Sequence, residues 1–354
     1  QTIMTATLKL NQSQFSDLLN LTHNVFYPLK NFVNKSEYEQ IILYQKFKKF
    51  FFPFPILFGI TKKNFLKIKN SKKIRLIYKK KDIVMIDKVN FFFINKISFG
   101  KKIYGPKYKS NPFFKKFFSN NYIFLSFRVK YKYQKNLKDK NFVSPFNFKK
   151  KFRKKATLSS FHTRNVPHAA HQWIHKYLIK KYNNLLIQPL IGQYKKGEYK
   201  DNVIIRLNKI LTKSYTNIKS KVFVIPFFSY PRYGGPKEAA LHAIVRKNFS
   251  CTHFWVGRDH AGYKDFYNKY ESQNYCKKNT SKIGLKIVCE KEPYFCKKCN
   301  LVTNDCKHKN LKKIKILISG SKIRNFIKKK ISIPEYLMDK RISKNINQKS
   351  LICF

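Results

Sequence analysis

The chain has 354 residues, with 76 Lys and Arg against 17 Asp and Glu and a formal net charge of +59. That length allows two or three packed units, and an aromatic share of 16% supplies apolar bulk for their cores. Seven cysteines exclude a disulfide-dense secreted scaffold, and neither a signal-peptide core nor an apolar run of membrane-span length occurs, so the expectation is a soluble cytoplasmic protein without a membrane partner. The positive charge attracts any polyanion, but lysine is spread through loops and helices alike and no nucleic-acid-binding module accompanies it. A biased residue supply explains it better than a dedicated interface.

Residues 1–140 mix short β-like runs with lysine-rich connectors. Ile74–Tyr78, Ile83–Ile86 and Asn90–Ile94 read as strands, and Lys72–Lys73 and Lys79–Lys81 as solvated turns. Two further segments stand out, Val25-Phe26-Tyr27-Pro28-Leu29-Lys30-Asn31-Phe32 and Phe52-Pro53-Phe54-Pro55-Ile56.

Past the basic stretch Lys149–Lys155 the pattern becomes an alternation of strands and helices. Thr157–Phe161, Leu185–Ile191, Val222–Phe228 and His253–Gly257 read as strands, and His168–Lys180 and Pro236–Asn248 as amphipathic helices. Such alternation argues for a parallel α/β sheet, whose ligands sit beyond the carboxyl ends of the strands. The stretch His162-Thr163-Arg164-Asn165-Val166-Pro167-His168-Ala169-Ala170-His171 lies at such an end. Strand, polar loop and helix N-terminus together collect anions, because free backbone N–H groups and the helix dipole point the same way. Thr163, Arg164 and Asn165 add donors, and His168 and His171 have the i, i+3 spacing that lets two imidazoles meet one ligand. Pro167 is expected near the first turn of the helix. Further on come Arg232-Tyr233-Gly234-Gly235-Pro236-Lys237-Glu238-Ala239 and Gly257-Arg258-Asp259-His260-Ala261-Gly262. Cys296, Cys299, Cys306 and His308 fall within thirteen residues, a spacing that suits a closed tetrahedral zinc site, with Cys289 as a substitute ligand. Near Lys312 a last small unit begins. There Lys315–Ile318 reads as a strand and Ser319-Gly320-Ser321-Lys322-Ile323-Arg324 opens a helix.

The ordered motifs resemble those of the ATP sulfurylase family. His162–His171 is similar to its Gln-Thr-Arg-Asn-Pro-x-His-x-x-His segment. Arg232–Ala239 resembles Arg-x-Ala-Gly-Pro-Arg-Glu-Ala, Gly257–Gly262 its second signature, and Ser319–Arg324 its Ile-Ser-Gly-Thr-x-x-Arg segment. The two proline-bearing N-terminal segments have family counterparts as well. The resemblance implies a β-rich, barrel-like (PUA-like) domain over 1–140, a central Rossmann-like nucleotidyltransferase α/β domain over 141–311 with a zinc-like loop at 289–308, and a small C-terminal α/β subdomain over 312–354. It implies that ATP and sulfate are the small-molecule substrates, that Mg²⁺ arrives with ATP, and that the chain can self-associate.

Residue roles follow from the same resemblance. His162 and Arg164, with the Ala261 backbone N–H, would hold sulfate. Thr163, Arg164 and Asn165 would stabilise the transition state, and His168 and His171 would clamp the phosphates. Gly257, Arg258, Asp259 and His260 would face the nucleotide. Ser319, Ser321 and Arg324 read as support near the site or as an ordinary helix start. Tyr294 and Phe295 could stack on adenine, although core packing suits them better. The chain departs from the family pattern at His162 (usually Gln), Val166 (Pro), Ala169 (Arg), Pro231 (Met) and Lys264 (Gly). A second function remains open at this level: a decayed nucleotidyltransferase scaffold that binds nucleic acid through its charge.

Overall fold

The computed structural model describes residues 5–129, 137–152, 156–192, 197–215 and 221–352. Residues 153–155 of the basic stretch Lys149–Lys155 lie outside the described residues. The chain divides into two compact units, each built from segments distant in sequence. One comprises Gln1–Arg153, Phe228–Ser250 and Arg258–Lys286, and the other Lys154–Phe227, Cys251–Gly257 and Ile287–Phe354.

The second unit holds a sheet whose strands run Val222–Val224, Asn184–Ile191, Leu158–Thr163, His253–Trp255, Lys286–Val288. Numbered by chain position, that order is third, second, first, fourth, fifth. Pairing is parallel across the first four. The order reverses between Leu158–Thr163 and His253–Trp255, and an open α/β sheet binds its ligand at such a reversal. The central strands read as nearly continuous buried runs because helices cover a parallel sheet. Helix Ala169–Tyr182 buries Ala170, Ile174 and Leu178, one stripe at i, i+4 spacing. Helix Asp201–Lys213 does the same with Val203, Leu207 and Leu211. Both stripes join one core with Leu185, Ile187, Trp255 and Leu337.

Among the expected boundaries that moved, two have a clear bearing on the sheet. The strand expected over Val222–Phe228 stops at Val224 and resumes at Phe227–Phe228, because Pro226 has no N–H for the ladder. The strand expected over Thr157–Phe161 runs on to Thr163, so His162 and Thr163 are its last two residues rather than loop. An antiparallel sheet of Leu301–Thr303, Tyr294–Cys296 and Lys315–Leu317 completes this unit, with helix Gly320–Lys328 after it.

In the first unit Thr5–Lys9, Lys73–Tyr78 and Lys81–Asp87 form one three-stranded sheet, and Phe58–Ile60, Ile123–Ser126 and Asn90–Phe92 another. The three strands read from sequence are present. Helices such as Gln12–Thr22 and Lys35–Tyr44, each opened by an Asn capping box, make this part more mixed than β-rich. Helix Gly235–Asn248 also belongs here and is almost wholly buried.

Around its start sits a buried ion pair. The Arg232 guanidinium, 2% exposed, meets the Asp17 carboxylate, and Tyr230 Oη donates to the other Asp17 oxygen. Arg232 Nη1 also donates to Ser229 Oγ at 3.2 Å, and its guanidinium lies 4.0 Å from the Tyr230 ring centroid. Burial pushes the Asp17 carboxyl up, while the Arg232 charge and the hydrogen bonds from Tyr230 and Arg232 pull it down.

Candidate active site

The sheet reversal in the second unit brings the ends of two adjacent strands together. Leu158–Thr163 delivers His162, Thr163, Arg164 and Asn165, and its neighbour His253–Trp255 leads through Val256 to Gly257. Arg258, Asp259, His260 and Ala261 are residues of the first unit.

Thr163 and Asn165 shape the polar loop. Thr163 is buried, and its Oγ1 accepts the Asn165 N–H at 3.0 Å while donating to the Asn165 carbonyl at 3.3 Å. This hydroxyl folds the loop back on itself. Arg324 Nη1 donates to Asn165 Oδ1 at 2.6 Å. With its oxygen engaged, Asn165 keeps its NH₂ donors for other partners. Gly320 makes the approach possible, since a Cβ there would lie 2.7 Å from Asn165 Cγ. Arg164 is exposed. His162 Nδ1 lies 3.2 Å from the Gln188 carbonyl, and a carbonyl can only accept, so Nδ1 carries the proton.

His168 differs from expectation. It is the N-cap, with extended backbone, and the helix begins at Ala169. Pro167 therefore precedes the cap instead of occupying the first turn. The His168 ring still stacks on His171, centroids 3.7 Å apart, and His168 Nδ1 accepts the His171 backbone N–H at 3.4 Å. Val166 and Ala169, two of the departures from the family pattern, are buried in the core of this unit. His175, one turn on, is fully buried with Nδ1 3.1 Å from Tyr215 Oη.

Burial holds these three rings neutral. The His168 imidazole is lowered to about 4, first by desolvation and then by the Arg324 charge. That of His175 falls to about 3, by desolvation and then His168, and His171 is driven well below the ordinary value by desolvation first, then by His168 and His175. The sign follows from proton counting. From about pH 6.5 down to about 4 the unfolded chain binds protons that these folded rings refuse, so stability falls as pH falls across that window. Denaturant unfolding at about pH 7, 5.5 and 4.5 is expected to show this loss, with a shallower slope for His175→Gln. Identical slopes for the two proteins would remove the cluster as the cause.

In the first unit, Arg258 Nε pairs with Asp259 Oδ2 at 3.0 Å on the surface. Asp259 and Ala261 adopt left-handed backbone, φ 54° and 58°, and so does Lys264 at 49°, a position where the family pattern has the glycine that this conformation favours. The Ala261 carbonyl accepts Gly235 N–H at 3.1 Å. His260 Nε2 lies 3.1 Å from His242 Nδ1. His242 and Glu238 were not singled out as site residues from sequence. A helical i, i+4 Glu–His pair is common, and only its neighbour in space gives it meaning.

The four cysteine-loop residues do come together. The ligand atoms of Cys296, Cys299, Cys306 and His308 lie within 4.8 Å of one another, with His308 Nδ1 3.2 Å from Cys299 Sγ and 3.7 Å from Cys296 Sγ. Thiolates and imidazole at such separations fit a tetrahedral metal, and the set closes without Cys289. Tyr294 and Phe295 are buried, and Phe295 stacks on Tyr336 at 4.6 Å, which makes them core residues.

Comparison with known proteins decides the family. The ATP-sulfurylase family model matches residues 139–349, and a PUA-like domain model matches residues 2–132. The chain belongs to the ATP-sulfurylase family. Its relatives include a sulfate adenylyltransferase of Pyrococcus abyssi, 31% identical over 94% of this chain and 87% of that protein. Another, from Staphylothermus marinus, is 30% identical over 96% of this chain and 90% of its own length. Among solved structures, a hexameric APS kinase from Thiobacillus denitrificans superposes with a TM-score of 0.72 at 14% identity, over 96% of this chain. The chain spans 62% of that protein's length, and the likeness is one of fold. The family fold thus accounts for the PUA-like N-terminal part and the nucleotidyltransferase-like sheet. No helix among the described residues is long and apolar enough to cross a membrane.

Proposed function

We propose that this chain is a sulfate adenylyltransferase, joining ATP and sulfate into adenosine 5′-phosphosulfate and pyrophosphate, reversibly. The observation that carries the reading is the Thr163-Arg164-Asn165 loop, held between a strand end at the sheet reversal and a histidine-capped helix start, in a chain of this family. A sulfate oxygen attacks the α-phosphorus as the bond to the β-phosphate oxygen breaks and pyrophosphate leaves. Sulfate is already ionised at neutral pH, so no general base is needed. The barrier is repulsion between anions, and catalysis must come from positioning and charge stabilisation.

The residues divide that work. Arg164 supplies the cation of the sulfate site, and His162 belongs to the same site. Because His162 Nδ1–H faces the Gln188 carbonyl, its Nε2 donates to sulfate only when the ring is charged. Thr163 shapes the loop, and the Asn165 NH₂, its oxygen occupied by Arg324, donates to the transition state. Neutral His168 and His171 act on the phosphates as hydrogen-bond donors and not as cations. Gly257, Arg258, Asp259 and His260 serve the nucleotide, and Mg²⁺ arriving with ATP would be held mainly by ATP oxygens and water. The domain limits 1–140, 141–311 and 312–354 go with this reading. The test is sulfate-dependent pyrophosphate release from ATP, run in both directions. Tight RNA binding at physiological salt without that activity would favour the decayed-scaffold alternative.

For the cysteine loop we propose structural zinc held by Cys296, Cys299, Cys306 and His308, since a filled set of four leaves no open position for chemistry. Purified protein should carry roughly one zinc per chain, and chelation should lower its melting temperature. His308→Ala is expected to weaken metal retention. A metal-free preparation with an unchanged melting temperature would defeat the assignment.

A further inference from the structure

From the contacts inside the first unit we infer that Glu238 and His242 are positioning residues for His260, holding its ring through a carboxylate–imidazole–imidazole chain. Glu238 and His242 lie one turn apart on helix Gly235–Asn248 and are 1% and 3% exposed. His242 Nε2 is 3.6 Å from Glu238 Oε1, and His242 Nδ1 is 3.1 Å from His260 Nε2. The carboxylate is itself fixed, because Glu238 Oε1 accepts Arg232 N–H and Oε2 accepts Gly234 N–H, both at 2.9 Å.

At 3.6 Å the Glu238–His242 contact is an ion-pair separation rather than a hydrogen bond, and the carboxylate charge biases the proton positions. A ring nitrogen facing a carboxylate is favoured as N–H, since a lone pair there would be repelled. With a single proton on the His242 ring, that proton sits on Nε2 toward the carboxylate and Nδ1 is the acceptor. His260 must then donate from Nε2, which turns its Nδ1 edge away from the helix. The backbone under His260 is pinned in the same way. Its carbonyl accepts Ser272 Oγ at 2.8 Å, Gly235 N–H meets the next carbonyl at 3.1 Å, and Asp259 N–H meets Lys269 O at 3.1 Å. Left-handed backbone on both sides of His260, at Asp259 and Ala261, costs free energy. A loop held by this many contacts presents one imidazole edge in one orientation.

The inference rests on the proposed function for its kinetic meaning and not for its geometry. Long-range ¹⁵N–¹H NMR of the full chain reads the geometry directly. A protonated His260 Nε2 and an unprotonated His242 Nδ1 are expected, and the reverse pattern overturns the chain whatever the enzyme does. The kinetic arm compares three substitutions. His242→Asn keeps an amide oxygen near the Nδ1 position, whereas His242→Gln and His242→Leu remove the acceptor. The latter two should lose about thirtyfold in kcat/KM for ATP, the scale carried by outer partners of functional histidines, and His242→Asn should recover most of it. Equal losses in all three, at unchanged melting temperature, would reduce His242 to a packing residue. If wild-type protein lacks the activity while the NMR pattern is found, the functional reading fails and the positioning stands.

Discussion

Arg164→Ala should lower sulfate-dependent pyrophosphate release by about a thousandfold or more, the scale of removing a donor aimed at developing charge. Thr163 Oγ1 is occupied with Asn165 backbone, Asn165 Oδ1 with Arg324, and burial holds His168 and His171 neutral. Arg164 is exposed at the strand end, and its guanidinium never loses its charge. Removing it leaves the Thr163–Asn165 and Asn165–Arg324 hydrogen bonds in place, and the rate should fall far more than stability. Arg164→Lys should recover only part of the rate, because an ammonium lacks the planar fork that matches a tetrahedral oxyanion. A near-normal rate for Arg164→Ala would mean that sulfate is cradled elsewhere.

Arg232→Met is expected to have the opposite profile: a loss of stability, by about 3–5 kcal/mol, the cost of leaving a buried charge unpaired. Asp17 would keep Tyr230 but lose the guanidinium that lowers its carboxyl, and Arg232 also anchors Ser229. Asp17→Leu should cost a similar amount. The double substitution should cost clearly less than the sum, since no charge is then stranded. Denaturant midpoints measure all three, and strict additivity would show that the pair does not act as a unit. Only 17 residues of this chain are acidic, and two of them, Asp17 and Glu238, are buried around the start of helix Gly235–Asn248. In a chain of such positive charge, self-repulsion is diffuse, and these buried carboxylates oppose it locally where the helix begins.

The motif around Arg232 shows where sequence reading stops. By resemblance it is one of the family's ordered motifs, yet Arg232 is 2% exposed and paired with the buried Asp17. A one-dimensional pattern records that an arginine matters and is silent on whether it faces a ligand or a buried aspartate. The two histidines of His-x-x-His were legible as neighbours, but not as a cap and a stacked ring that stay neutral, because desolvation depends on what covers them. Arg324 was readable as support, whereas its bond to Asn165, 159 positions away in sequence, was not.

By itself the sequence determined the family, the alternation that builds a parallel sheet, the loop carrying Thr163, Arg164 and Asn165, and the cysteine spacing. Each is a local matter of periodicity, residue chemistry or ordered motifs, which the chain carries in every conformation. Only the tertiary structure decided the strand order with its reversal beside His162, the neutrality of the buried histidines, and the partners of Arg232 and His242. Those depend on which residues exclude water from one another, and water exclusion is a property of the packed chain.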